Sequence, residues 1–311
     1  MLEYTLMIVV YLILLVSVLV SVAFVTLVEQ KILASAQIRV GPNYTGLTGL
    51  LQPFADAVKL LSKEGVTTRM SSFKIYYLSP VVMLSLSLVL WSGYVFEMGG
   101  VDLSYSLLVF MCLSGMMVYP LLMMGWSSNC KYSMLGSLRA VAQMVSYEVS
   151  MAVVLLSLVW SSWSFNYYDL VSNQLLIWNI FLYTPLGYIW LVSSLAETNR
   201  SPYDFAEGES ELVSGFNTEY SSSGFTLIFM SEYSSLLFMS FMFSVLFLSS
   251  SVTPMVLFKS LVIIFVFVWA RCSLPRYRYD KLMSLAWKSF LPVTLLLFMY
   301  YLSMSESSPV F

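Results

Sequence analysis

The chain has 311 residues, a formal net charge of −2, 59% hydrophobic and only 10% charged side chains, and no histidine. That balance excludes an ordinary soluble domain. It also excludes a Ser-His-Asp triad, and three scattered cysteines (Cys112, Cys130, Cys272) assemble no zinc, haem or iron–sulfur ligand set.

Mean hydropathy is +0.81. The apolar runs are continuous rather than alternating, which predicts an all-α polytopic membrane protein, one domain over residues 1–311, and not a barrel. Eight spans are predicted, at about 4–28, 75–96, 103–126, 140–163, 174–195, 224–248, 255–271 and 285–303. The first run is of spanning length with no basic region before it, so it is expected to stay as a span rather than act as a cleaved signal.

Between the first two spans, RVGPNYTGLTG is rich in turn formers. After it Leu51, Phe54, Ala55, Val58 and Leu61 recur at helical spacing, with Gln52, Asp56, Lys59 and Lys63 on the other face. This predicts an amphipathic helix, lying in the interface plane or packed on a soluble partner. All but Lys259 of the 15 basic residues fall in connections on one side of the predicted bundle, a positive-inside pattern. Trp91, Tyr94, Trp160, Trp163, Tyr167 and Tyr168 fall at span ends on the other side, where interfacial anchors are expected. Neither a Walker A nor a GxGxxG element occurs, so nucleotide binding by those routes is not expected.

Acids stand where charge is expensive. Glu148 lies inside the fourth predicted span and Glu232 inside the sixth; such residues are expected to face the bundle interior, paired or protonated. Arg139 is nine residues from Glu148, about 13.5 Å along a helix, too far for a direct pair. The connection Ala196 to Glu219 holds six of the 17 acids (Glu197, Asp204, Glu207, Glu209, Glu211, Glu219) and one base, Arg200. Aromatic and aliphatic residues that favour burial (Tyr203, Phe205, Leu212, Val213, Phe216) thread through it. Carboxylates this close repel and titrate as a coupled set, which points to a partly buried cluster handling protons or a cation, or more plainly to a solvated loop.

The segments LVEQK, QIRVGPN, LLQPFADAVKLLSKE, RAVAQMVSYEVS, AETNRSPYDFAEGESELVSGFNTEY and PRYRYDKLM occur in that order. Together they resemble subunit 1, the quinone-site membrane subunit, of mitochondrial NADH:ubiquinone oxidoreductase (respiratory complex I). The resemblance implies eight spans with an amphipathic helix at the matrix face, in the mitochondrial inner membrane. It implies ubiquinone as substrate, with flavin and iron–sulfur clusters held by partner subunits and no metal here. The implied partners are hydrophilic quinone-module subunits, antiporter-like membrane subunits and lipid, with no nucleic acid. It further implies a proton and coupling route through Glu148, Glu197, Asp204, Glu207, Glu209, Glu211, Glu219 and Glu232. Gln30, Arg39, Phe54, Asp56, Phe225 and Phe229 would contact quinone, and Arg139, Arg200, Arg271, Arg276 and Arg278 would be counter-charges at the junction. One departure stands out: Glu29-Gln30-Lys31 replaces the family's Glu-Arg-Lys, so a hydrogen-bonding side chain remains at Gln30 without the charge.

Other readings remain open on the residues alone. Intramembrane carboxyls also suit a proton-coupled secondary transporter, although no internal repeat or paired broken helices are evident. A membrane subunit of an energy-converting hydrogenase would need no quinone, and a structural anchor would need none of the acids.

Overall fold

The computed structural model describes residues 2–66, 70–93, 104–206, 208, 213–251 and 254–307. Helices account for the regular structure among the described residues. They are α1 (Leu2–Ala36), α2 (Gln52–Ser62), α3 (Phe73–Leu90), α4 (Ser106–Met116), α5 (Val118–Ser127), α6 (Lys131–Ser162) and α7 (Tyr167–Ser172). These are followed by α8 (Asn179–Leu182), α9 (Thr184–Glu197), α10 (Ser222–Phe243), α11 (Met255–Ser273), α12 (Tyr279–Leu285) and α13 (Leu291–Ser307).

Seven helical stretches among the described residues are long and apolar enough to cross a membrane: Met7–Ala36, Phe73–Gly93, Ser106–Ser127, Lys131–Ser162, Ser222–Leu248, Met255–Ser273 and Tyr279–Met304. The eighth expected span, at 174–195, forms differently. Tyr183 leaves helical geometry (φ −115, ψ 38), and Pro185 opens α9, a place where its missing N–H costs nothing. The 14 residues of α9 extend only about 21 Å, short of the ~30 Å hydrocarbon core.

The third span is interrupted too. Pro120 has no N–H to offer the Met116 carbonyl, and the chain turns at Met117 between α4 and α5. By contrast α1 is 35 residues, about 52 Å, longer than the apolar layer is thick, with Glu29, Gln30 and Lys31 toward its C-terminal end.

The bundle is organised around α10. Its most apolar window is 83% buried, against 17% for the first and last spans, so α10 is the axis and α1 and α13 are outer helices. α10 packs on α3, α11, α1, α2 and α9, while α6 packs on α5, α9 and α13. Serines serve this packing because each satisfies its hydroxyl on its own helix: Ser231 donates to the Ile228 carbonyl at 2.6 Å and Ser240 to that of Leu237 at 2.6 Å. Two expected interfacial anchors are core residues instead. Trp91 packs against Phe238 and Phe241, and Tyr167 is buried and donates its backbone N–H to Ser106 Oγ. Trp163 and Tyr168 are exposed, and Tyr94 lies outside the described residues.

The amphipathic helix forms where expected, as α2, wedged against α1 and α10. A tight turn delivers it. Gly49 has φ +81, and a Cβ there would lie 2.2 Å from the Pro42 carbonyl oxygen. Gly49→Ala is therefore expected to cost about 1–3 kcal/mol and to loosen α2. Thermal unfolding of the detergent-solubilised assembly measures this, and an unshifted transition would mean the turn relaxes freely.

Candidate functional site: a buried ionic ladder and a carboxyl-lined cavity

Residues from α1, α10, α11 and the connection after α9 converge on one ionic cluster. Glu29 is 6% exposed. Its Oε1 pairs with Arg271 Nη1, in the last turn of α11, and its Oε2 accepts from the Tyr233 hydroxyl at 2.6 Å. The same hydroxyl accepts from Arg200 Nη1 at 3.5 Å, and the Arg200 guanidinium sits 4.1 Å from the centre of the Tyr233 ring. Arg200 Nη2 is 4.0 Å from Glu232 Oε2. Burial pulls the pKa of Arg200 down, but Tyr233, Glu232 and Glu29 outweigh it and raise the value, so this buried base stays charged.

Local structure explains the arrangement. Glu232 and Tyr233 are neighbours on α10 and so point about 100° apart, one toward the bundle centre and the other toward α1. Arg200 is held in place from α6: Gln143 Nε2 donates to the carbonyls of Ala196 at 2.7 Å and Tyr203 at 2.8 Å, clamping the turn on both sides of the arginine. The far end of the connection is pinned by the stacked rings of Tyr76 and Tyr220, 4.4 Å apart.

Beside Glu232 is a cavity with room for about two water molecules. Glu232 and Glu197 line it together with Met83, Leu121, Met144 and Phe238. Glu197 is 9% exposed and its Oε2 is buried without a hydrogen-bond partner. Glu148 of α6 is close enough for its charge to act on Glu197. A ladder thus runs from Arg271 through Glu29, Tyr233, Arg200 and Glu232 to the cavity, with Glu197 and Glu148 on its far side.

The remaining expected residues are more dispersed. Phe225 and Phe229 continue the α10 face of Tyr233, with ring centres 4.4 and 6.4 Å apart in sequence along the helix. Phe54 of α2 meets Phe24 of α1 edge-on at 6.0 Å, and Asp56 accepts from Gln52 at 2.9 Å. Gln30 is exposed on α1, and Arg39, also exposed, donates to Gln37 at 2.9 Å. Arg139 lies 5.8 Å from the Tyr279 ring and Arg276 5.6 Å from the Phe205 ring. Arg278 pairs with Asp280 at 3.1 Å on the surface. Asp204 is half-buried, and Glu219 contributes its backbone carbonyl, which accepts from the Tyr76 hydroxyl. Glu207, Glu209 and Glu211 lie outside the described residues.

Sequence reasoning missed Glu29, Tyr233 and Gln143 as site residues. Glu29 was visible as an acid closing a long apolar run, and Tyr233 as the neighbour of an intramembrane acid. Gln143 gave no signal, because its role depends on which carbonyls come within its reach.

A family model described as NADH dehydrogenase matches residues 9–302. NADH-ubiquinone oxidoreductase chain 1 of Aedes aegypti is 50% identical over 294 residues, covering 94% of each chain. The proteins of the same name from Locusta migratoria and Sminthopsis macroura are 48% identical over 296 residues and 45% identical over 295, covering 95% and 92% of this chain and 94% and 93% of their own. With this likeness running through every span, the chain belongs to the NADH dehydrogenase family, as a membrane subunit of NADH-ubiquinone oxidoreductase.

Proposed function

We propose that this subunit forms part of the ubiquinone chamber and carries the first acids of the route that couples quinone reduction to proton translocation. The observation that carries the reading is the Tyr233 hydroxyl, placed between the Glu29 carboxylate and the Arg200 guanidinium at the end of an aromatic face. The passage runs between α1, α2 and α10. Phe54, Phe225 and Phe229 give it apolar walls, with Gln30, Arg39 and Asp56 toward its mouth.

A reduced quinone takes up two protons, and the groups able to relay them begin at Glu29 and Tyr233. On the other side of Arg200, Glu232 and Glu197 share the cavity, where a fixed charge is costly and a mobile proton is not. Glu148 hands the change on to neighbouring antiporter-like subunits. Arg139, Arg271, Arg276 and Arg278 supply positive charge where the hydrophilic subunits dock. Those partners carry flavin and iron–sulfur clusters, and the basic connections face the matrix. Asp204, Glu207, Glu209, Glu211 and Glu219 form the acidic bank of the same junction.

Glu232→Gln tests the route, since it keeps shape and removes both charge and exchangeable proton. In assembled enzyme, coupled quinone reduction is expected to fall about 10²-fold, a common magnitude for loss of a proton-transfer group. Glu207→Gln should weaken coupling or turnover with assembly intact. Unaltered quinone reduction and proton translocation in both variants would sink the proposal.

A further inference from the structure

Gly115 is an oddity of α4. It sits one residue from the helix end, within an apolar span, where alanine is the better helix former. Its neighbour across the α4–α6 contact is Glu148. A Cβ built on Gly115 would lie 2.7 Å from Glu148 Oε1, 3.4 Å from Oε2 and 3.5 Å from the carboxyl carbon. Both oxygens and the carbon between them therefore rest on the bare backbone of this one residue. Among the described residues, no other hydrogen bond or ion pair holds the Glu148 carboxyl.

We infer that Gly115 is a positioning residue: by leaving room for the Glu148 carboxyl against α4, it sets the distance at which Glu148 acts on Glu197. The inference rests on the proposed role of Glu148. At Met117, where α4 passes into α5 with helical dihedrals (φ −64, ψ −18), the N–H bonds back to the carbonyls of Ser114 and Gly115. These bonds tie the Gly115 backbone into the end of α4. The terminal oxygen of a flexible side chain moves more readily than the backbone does, so a methyl group at this position displaces the carboxyl and leaves the fold in place. Displacing a proton-transfer group by about 1 Å is enough to cost a factor of 10–10².

A double-mutant cycle in the assembled oxidoreductase tests this. Gly115→Ala is expected to lower proton translocation and coupled quinone reduction about tenfold, with NADH oxidation by ferricyanide unchanged, since that acceptor takes electrons before the quinone. In a Glu148→Ala background, the same Gly115→Ala change should have no further effect on assembly, quinone reduction or coupling. In a Glu148→Asp background, whose side chain is one methylene shorter, it should cost clearly less than in the parent. Equal losses from Gly115→Ala in all three backgrounds would make it an ordinary packing residue and overturn the inference. So would a normal Gly115→Ala enzyme. If Gly115→Ala prevents assembly, Glu148→Ala must restore it; failure to do so also overturns the inference. Full coupling in Glu148→Ala alone refutes the role of Glu148, a separate result from any outcome at Gly115.

Discussion

Replacing Arg200 with methionine is expected to destabilise the subunit by about 3–5 kcal/mol, the usual consequence of stripping a buried ion of its partner. Methionine keeps an unbranched apolar stem, so the loss is electrostatic rather than volumetric. Glu232 loses its counter-charge and Tyr233 loses the cation over its ring; the 4.1 Å separation there is as close as the 4.0 Å ion contact. Arg200→Lys should recover only part of the loss, because an ammonium lacks the flat face that stacks on Tyr233. The decisive variant is Arg200→Met with Glu232→Gln. With both charges of that contact removed, most of the thermal stability of the solubilised enzyme should return while quinone reduction stays low. A single variant that melts with the parent enzyme would show that solvent or a partner subunit neutralises Glu232.

Tyr233→Phe is the sharper test of chemistry. The ring contacts with Arg200 and Phe229 survive, and one hydroxyl is lost. That hydroxyl connects Glu29 to Arg200, so its removal separates the Glu29 end of the ladder from the Glu232 end. Stability is expected to fall by only about 1–3 kcal/mol, the cost of leaving a buried acceptor unmet. Glu29 retains Arg271, itself 39% exposed and hydrated, which limits the damage. Quinone reduction is expected to fall about 10²-fold, the low end of the range for loss of a group that donates or relays a proton. Measured against ferricyanide reduction on the same preparation, an unchanged ratio would reduce Tyr233 to a structural link.

Much of the fold was legible because apolar length and charge asymmetry are properties of single segments. The spans containing Glu148 and Glu232, the amphipathic α2 and the turn before it could be placed from spacing and turn formers alone. The region 174–195 is expected as one helix and forms as two, α8 and α9, because hydropathy sums over a window and does not register one departure from helical dihedrals at Tyr183. Trp91 and Tyr167 were misread for a related reason: a residue at a span end is interfacial only if no neighbouring helix covers it. The acids of the ladder were legible one by one, as costly charges in apolar surroundings. Their partners were not, since Glu29 meets Tyr233 204 residues later and Arg271 242 residues later. Gly115 was equally silent, because its significance lies in what α6 presses against it.

Those separations set an order of events during synthesis. At roughly 5–20 residues per second, about 10–50 s pass between the emergence of Glu29 and that of Arg271. Tyr233 is made before Arg271, so the hydroxyl that meets Glu29 in the finished fold is available before the base of α11. Synthesis halted inside α11 would leave Glu29 without its Arg271 partner.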